Sequence, residues 1–195
     1  MMSEARNLRK TTYRLYPTPK QTVALDALLR SHQQLYNAAL EERISAWSRA
    51  GKSISYADQC KSLTVLRRDL PEWADAANCS SQQMTLRRLD KAFGAFFRRV
   101  KAGQTPGFPR FKSLGRFSGF SFKSHGDGWR FTPKDGWKHG SLRLSGVGQI
   151  RARGHTPAKA ARFVPVPVTS CSAMAVGISR WPWSTQNAPG RPMAH

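Results

Sequence analysis

Carboxylates are scarce in this chain, and after Asp135 there are none. The 195 residues hold 11 Asp and Glu against 32 Lys and Arg, a formal charge of +21. Metal-dependent hydrolysis needs carboxylates close together to hold its cations. Asp58, Asp69, Asp75, Asp90, Asp127 and Asp135 show no such spacing. Cysteine is equally thin: Cys60, Cys79 and Cys171 form no CxxC pair, which excludes the usual zinc and disulfide patterns. His32, His125, His139, His155 and His195 are scattered, without a Glu partner at a motif spacing, and no glycine-rich phosphate loop occurs. No apolar run is long enough for a bilayer, and the N-terminus shows no signal-peptide apolar segment. These absences predict a reducing, cytoplasmic setting, with no membrane, small-molecule substrate or resident cofactor.

What is present is positive charge, spread from Arg6 to Arg191 rather than gathered in a tail. Self-repulsion at this charge disfavours a lone compact protein, and a polyphosphate partner relieves it by releasing condensed counterions. The run Gly107-Phe108-Pro109-Arg110-Phe111-Lys112 sharpens the expectation, because it interleaves turn residues, aromatic faces and cations. Aromatic surface beside guanidinium suits a polyanion that also presents stackable bases. A hydrophobic fraction of 39% allows a modest core, in one domain or two small ones.

Alternating β-branched, aromatic and basic residues from Arg9 to Tyr16 predict a strand with Tyr13 and Leu15 on one face and Arg14 and Tyr16 on the other. Thr18-Pro19-Lys20-Gln21 reads as a capping box opening a helix. Its apolar stripe runs from Leu25 through Leu40 and Ile44 to Trp47, and Gly51 ends it. A second helix is expected from Ser55 to Pro71, and a third from Ser80 or Ser81 to Gly103. On the third, Arg87, Lys91, Arg98 and Lys101 fall on one side with Asp90 as nearly the lone interspersed acid. That side is either a solvated face or a phosphate-facing surface. Phe117–Phe122, Trp129–Phe131, Leu142–Leu144 and Ile150–Arg153 read as strands of a small twisted antiparallel sheet or barrel. From Val164 no periodicity remains, which predicts a disordered tail.

With those elements in place, the chain resembles the N-terminal part of the TnpB/OrfB family encoded by insertion sequences. The matching residues are Tyr13 to Thr18, Leu35-Tyr36-Asn37, Ile54-Ser55-Tyr56, Leu63-Thr64, Leu66-Arg67 and Trp73. They continue with Gln83 to Leu86, Leu89, Ala92-Phe93, Phe96-Phe97-Arg98 and Gly107 to Lys112, so the likeness covers about residues 8 to 153. The resemblance implies an α+β fold: a small antiparallel β-barrel-like wedge domain with an inserted three-helix recognition domain. The first wedge strand would be 8–16, the recognition domain 18–103 and the remaining wedge strands 107–153. It further implies guide RNA and target DNA as partners, and places Tyr56 and Gln83 where the family reads a motif flanking its target. Either could equally be a packing or helix-surface residue. Arg87, Lys91, Arg98, Lys101, Arg110 and Lys112 would hold phosphates, with Phe108 and Phe111 stacking on bases or packing the helix against the sheet.

Full-length members cut DNA with a RuvC-like domain holding magnesium on three carboxylates and interrupted by a zinc ribbon. The carboxylates and cysteine pairs for that domain are missing here, so the expectation is a nucleic-acid-binding fragment without catalysis. Back-translation of Met174 to Trp183 in a shifted frame admits a basic-Trp-Tyr strand like the one leading into the family's nuclease domain. Residues 154–195 therefore read as a frameshifted tail, or as an ordinary flexible C-terminus. The alternative function is a stand-alone helix-turn-helix DNA-binding regulator, for which the connection between the first two helices fits loosely.

Overall fold

The computed structural model describes residues 13–134 and 138–154. The expected tail from 155 onward, and residues 9–12 of the first expected strand, lie outside the described residues. Strand β1 (Tyr13–Tyr16) buries Tyr13 and Leu15 and turns Arg14 and Tyr16 outward, as the alternation predicts. Helix α1 (Pro19–Ala50) opens with the capping box: Gln21 N–H donates to the Thr18 hydroxyl and Thr18 N–H donates to Gln21 Oε1. It closes on Gly51 in the left-handed conformation, with φ of 59°. Helix α2 (Tyr56–Asp69) has its own capping box, Ser55 with Asp58.

Three expectations need correction. Pro71 does not merely stop α2; it starts a short helix, α3 (Pro71–Ala76), so the described residues form four helices where three were expected. The last helix, α4 (Cys79–Lys101), begins earlier than Ser80, because Asn78 Oδ1 accepts from the N–H groups of Ser80 and Ser81. Residues 117–122 are not a strand. A 3-10 turn at Leu114–Arg116 precedes them, and their aromatics dock in different places. Phe117 is buried against Tyr36, Phe120 stacks on His32 at 4.8 Å between ring centroids, and Phe122 packs onto the sheet. The backbone turns at Gly119, whose φ is 113°. Apolar residues at 117, 120 and 122 imitate strand alternation while serving a strap between two cores.

The sheet contains β1, β2 (Trp129–Lys134), β3 (His139–Leu144) and β4 (Gly148–Gly154), all antiparallel in the order β1-β4-β3-β2. β1 and β2 are at opposite edges, which a flat sheet would hold about 14 Å apart. Yet the Tyr13 and Phe131 rings meet at 4.5 Å between centroids, so the sheet curls strongly. Two glycines leave room for those rings. A Cβ on Gly154 would sit 3.0 Å from Tyr13, and one on Gly140 would strike Phe131 and lie 2.6 Å from the Thr132 carbonyl oxygen.

One core lies inside the curl, built from Tyr13, Leu15, Trp129, Phe131, Leu142, Leu144, Ile150 and Ala152. The second lies among the helices, around Leu29, Leu35, Tyr36, Leu40, Leu63, Leu86, Leu89 and Phe117. Helix α1 contributes to both, with Leu25 in the first and Leu29 onward in the second. Its stripe stops earlier than the sequence implies: Ile44 is the last residue packed on the core, and Trp47 is 66% exposed. Gln21 Nε2 fastens the start of α1 to β4 through the Gln149 carbonyl at 2.9 Å.

His32 sits fully buried in the helical core, Nδ1 at 2.9 Å from Thr85 Oγ1 and Nε2 at 3.3 Å from Ser81 Oγ. Burial, and secondarily the Arg88 charge, lowers its pKa from 6.5 to about 4. The unfolded chain therefore binds the extra proton between those values. Stability should be fully present above pH 6.5 and fall by about 3 kcal/mol as pH drops through about 4. Urea midpoints across this range check it, and His32→Gln should flatten that part of the profile. Gly140→Ala should cost about 1–3 kcal/mol through overpacking, read as a lower melting temperature.

Candidate nucleic-acid interface

Cations in the helical unit divide into two sets. Arg43, Arg67 and Arg88 hold the bundle together. Arg43 donates to Gln59 Oε1 at 2.8 Å and to Asp90 Oδ1 at 3.1 Å, joining α1, α2 and α4. Arg67 caps the end of α3 through the carbonyls of Trp73, Ala74 and Ala77, and also donates to Gln82 Oε1. Arg88 donates to the Gly119 carbonyl at 2.6 Å and lies over the Phe117 ring, fixing the strap.

The second set faces outward. Arg87, Lys91, Arg98 and Lys101 are all exposed on α4. With half-buried Gln83 they fall within about 80° of the helix circumference and extend about 27 Å along its axis. Asp90, the acid nearest this stripe, is drawn off by Arg43. Tyr56, at the start of α2, joins the stripe directly: the Arg87 guanidinium lies over its ring at 4.9 Å. Partial burial first, and a hydrogen bond with Cys60 second, push the Tyr56 phenol up, so it stays a neutral donor at physiological pH. The structure thus brings Tyr56, Arg87 and, by helical period, Gln83 and Lys91 onto one surface.

It does not bring the Gly107–Lys112 run onto that surface. Phe108 packs edge-on against Phe93 and Phe96, at 5.6 and 5.3 Å between centroids. Those two lie 120° or more around α4 from Arg87 by the helical period of about 100° per residue. Phe108 therefore anchors the run to the flank of α4, although it remains half exposed. Arg110 is exposed, Phe111 is 54% exposed, and Lys112 is half-buried with its backbone held by α1. Phe111 is thus the more exposed of the two aromatic residues in the run.

Sequence reasoning missed a third basic surface. The outward face of the sheet presents Arg14, Arg130, Arg143, Arg151 and Arg153 and no carboxylate among the described strand residues. Arg14 is directly opposite Arg153, and Arg130 directly opposite Arg143. Like charges in facing positions destabilise a sheet. Tyr16 shares the first pair, its ring 5.5 Å from the Arg14 guanidinium and 5.3 Å from that of Arg153. The signal was available in the sequence: each strand puts arginine at positions opposite in parity to its apolar residues.

The described residues contain no grouping of three or more His, Cys, Asp or Glu able to hold a metal ion, and no helix long and apolar enough to cross a membrane. Comparison with known proteins agrees with the basic character of these surfaces. A family model described as a helix-turn-helix domain, that of the IS605-type OrfB proteins, matches residues 2–52. A Streptomyces pristinaespiralis protein named "Putative RNA-guided DNA endonuclease" is 33% identical over 115 residues, which is 58% of this chain and 27% of that protein. Over residues 2–52 the chain is thus similar to the OrfB proteins of IS605-type elements. The match spans about a quarter of the relative's length. Within residues 13–52 of the domain match, the chain has β1 and the single helix α1, and the next helix begins at Tyr56.

Gly94 stands in the middle of α4 on the stripe side, exposed, and a Cβ there meets nothing within 4 Å. Packing does not require glycine at this position. Gly94→Ala should raise stability by about 1 kcal/mol, measured by the urea midpoint.

Proposed function

We propose that this chain is the nucleic-acid-binding part of a TnpB-like protein, engaging a guide RNA and its DNA target, with cleavage assigned to no residue described here. The observation that carries this reading is the α4 stripe: four exposed cations beside Gln83 and Tyr56, with the neighbouring acid engaged elsewhere. The curled sheet supports its assignment as a barrel-like wedge formed by 8–16 and 107–153, with 18–103 as the inserted recognition domain. Tyr56 and Gln83 are the base-reading candidates, since a neutral phenol and an amide supply directional donors and acceptors within a cationic setting.

Separation of the basic surfaces around α4 fits two nucleic-acid strands better than one. The stripe suits the backbone of a duplex, where cations at successive helical turns meet successive phosphates. The Gly107–Lys112 run, with Phe111 exposed, suits a strand whose bases are splayed for stacking. Activity of the whole relative comes to this chain only through the resemblance. Residues 154–195 retain the reading of a shifted frame.

If Arg87, Lys91, Arg98 and Lys101 each neutralise a duplex phosphate, and Arg110 and Lys112 each a single-strand one, the slope of log affinity against log salt on a DNA duplex with a single-stranded extension should be about −5. Arg87→Ala with Arg98→Ala should reduce that slope by about 2 while leaving the fold intact. Fluorescence anisotropy over a salt series measures both. A flat salt response would remove the reading.

A further inference from the structure

We infer that Asn37, assisted by Gln33, is the positioning residue that presents the Arg110–Lys112 segment to nucleic acid. The inference rests on the proposed binding role of that segment. Asn37 grips both main-chain polar groups of Lys112. The Lys112 N–H donates to Asn37 Oδ1 at 2.9 Å, and Asn37 Nδ2 donates to the Lys112 carbonyl at 3.0 Å. Gln33, one turn earlier on α1, donates Nε2 to the same carbonyl at 2.6 Å. Three hydrogen bonds from one helix therefore converge on the backbone of one residue, in a segment without helix or strand of its own.

Apolar burial does not explain where this segment sits. Phe108 and Phe111 are 48% and 54% exposed, and Pro109 alone in the run is buried. Phe108 fixes the upstream end on α4, and the two amides fix the downstream end on α1, more than 70 residues earlier in the chain. Arg110 and Phe111 lie between the two anchors. A cationic, aromatic segment held at both ends loses less conformational entropy when a ligand engages it than a free loop does. The amides also leave the Lys112 ammonium uninvolved, so rigidity is gained without neutralising a charge. Leu35-Tyr36-Asn37 thereby acquires a division of labour: Leu35 and Tyr36 face the helical core, while Asn37 faces the segment.

The full chain carrying Asn37→Leu keeps helix propensity and removes both bonds to the peptide. Gln33→Leu removes one bond and stands in should the first variant fold poorly. Hydrogen exchange at the Lys112 amide tests the grip without any ligand: protection in the parent chain should be lost in Asn37→Leu. Affinity for a short mixed-sequence DNA duplex carrying a single-stranded extension should fall about tenfold, and the same substitution in an Arg110→Ala background should cost much less. A purely structural loosening would lower affinity equally in both backgrounds, and that result overturns the inference. So does unchanged Lys112 protection. If exchange rises but the duplex is bound as before, positioning fails while the stripe's role stands. If the parent chain does not bind the duplex, the proposed function and this inference fall together.

Discussion

Everything in this fold hangs from one helix that belongs to two cores. α1 enters beside the sheet, where Leu25 completes the curl, and leaves among the helices, where Leu29 to Leu40 form the central wall. Neither half is large, and each leans on the other. The strap 107–122 runs alongside this spine, from Phe108 on α4, past the Lys112 peptide on α1, through Phe117 and Phe120 in the helical core, to Phe122 on the sheet. Asn78 ties the same junction from the other side, capping α4 while its Nδ2 reaches Asp127 at 3.4 Å. A chain carrying +21 cannot rely on a thick hydrophobic interior. It relies instead on aromatic contacts and on amide or guanidinium groups that grip backbone carbonyls.

That economy determines which cations remain for a partner. Arginines turned inward find carbonyls, amides or aromatic faces, because unpaired burial of a guanidinium is costly. With so few carboxylates, ion pairing could satisfy only a minority, and Arg43 with Asp90 is one such case. The others are sorted by geometry. One side of α4 and one face of the sheet collect the cations that the core does not use. A surface made in this way is electropositive by construction, and its strength toward a polyanion is set by how little acid lies within reach.

Much of the architecture was legible because its signals are local. Thr18 with Gln21 and Ser55 with Asp58 close both capping boxes, and Gly51 ends α1 where left-handed backbone is required. The alternation of β1 gives its faces directly. What escaped reading depends on contacts distant in sequence. α3 exists because Arg67 caps its C-terminal carbonyls from the preceding helix, and nothing in Pro71–Ala76 alone announces that. Residues 117–122 carry a strand-like pattern, but Arg88 and His32 draw them onto the helices. The stripe on α4 could be seen on a helical wheel; its contact with Tyr56 and its separation from Phe108 could not.

The sheet face is where energetics and function part most clearly. Two arginine pairs facing each other across adjacent strands lower the stability of the isolated fold, and alternating strands could have carried threonine or glutamate there at no cost to the core. Tyr16 offsets one pair by lying close to both guanidinium groups, and among the described residues no aromatic ring does the same for the other. An arrangement that is unfavourable in water becomes favourable once phosphates replace the repulsion with attraction and release their counterions. Charge placed in register, rather than merely in excess, is thus the stronger argument for a nucleic-acid partner. Excess charge can be solvated anywhere, whereas facing arginines gain only from an anion that spans both strands.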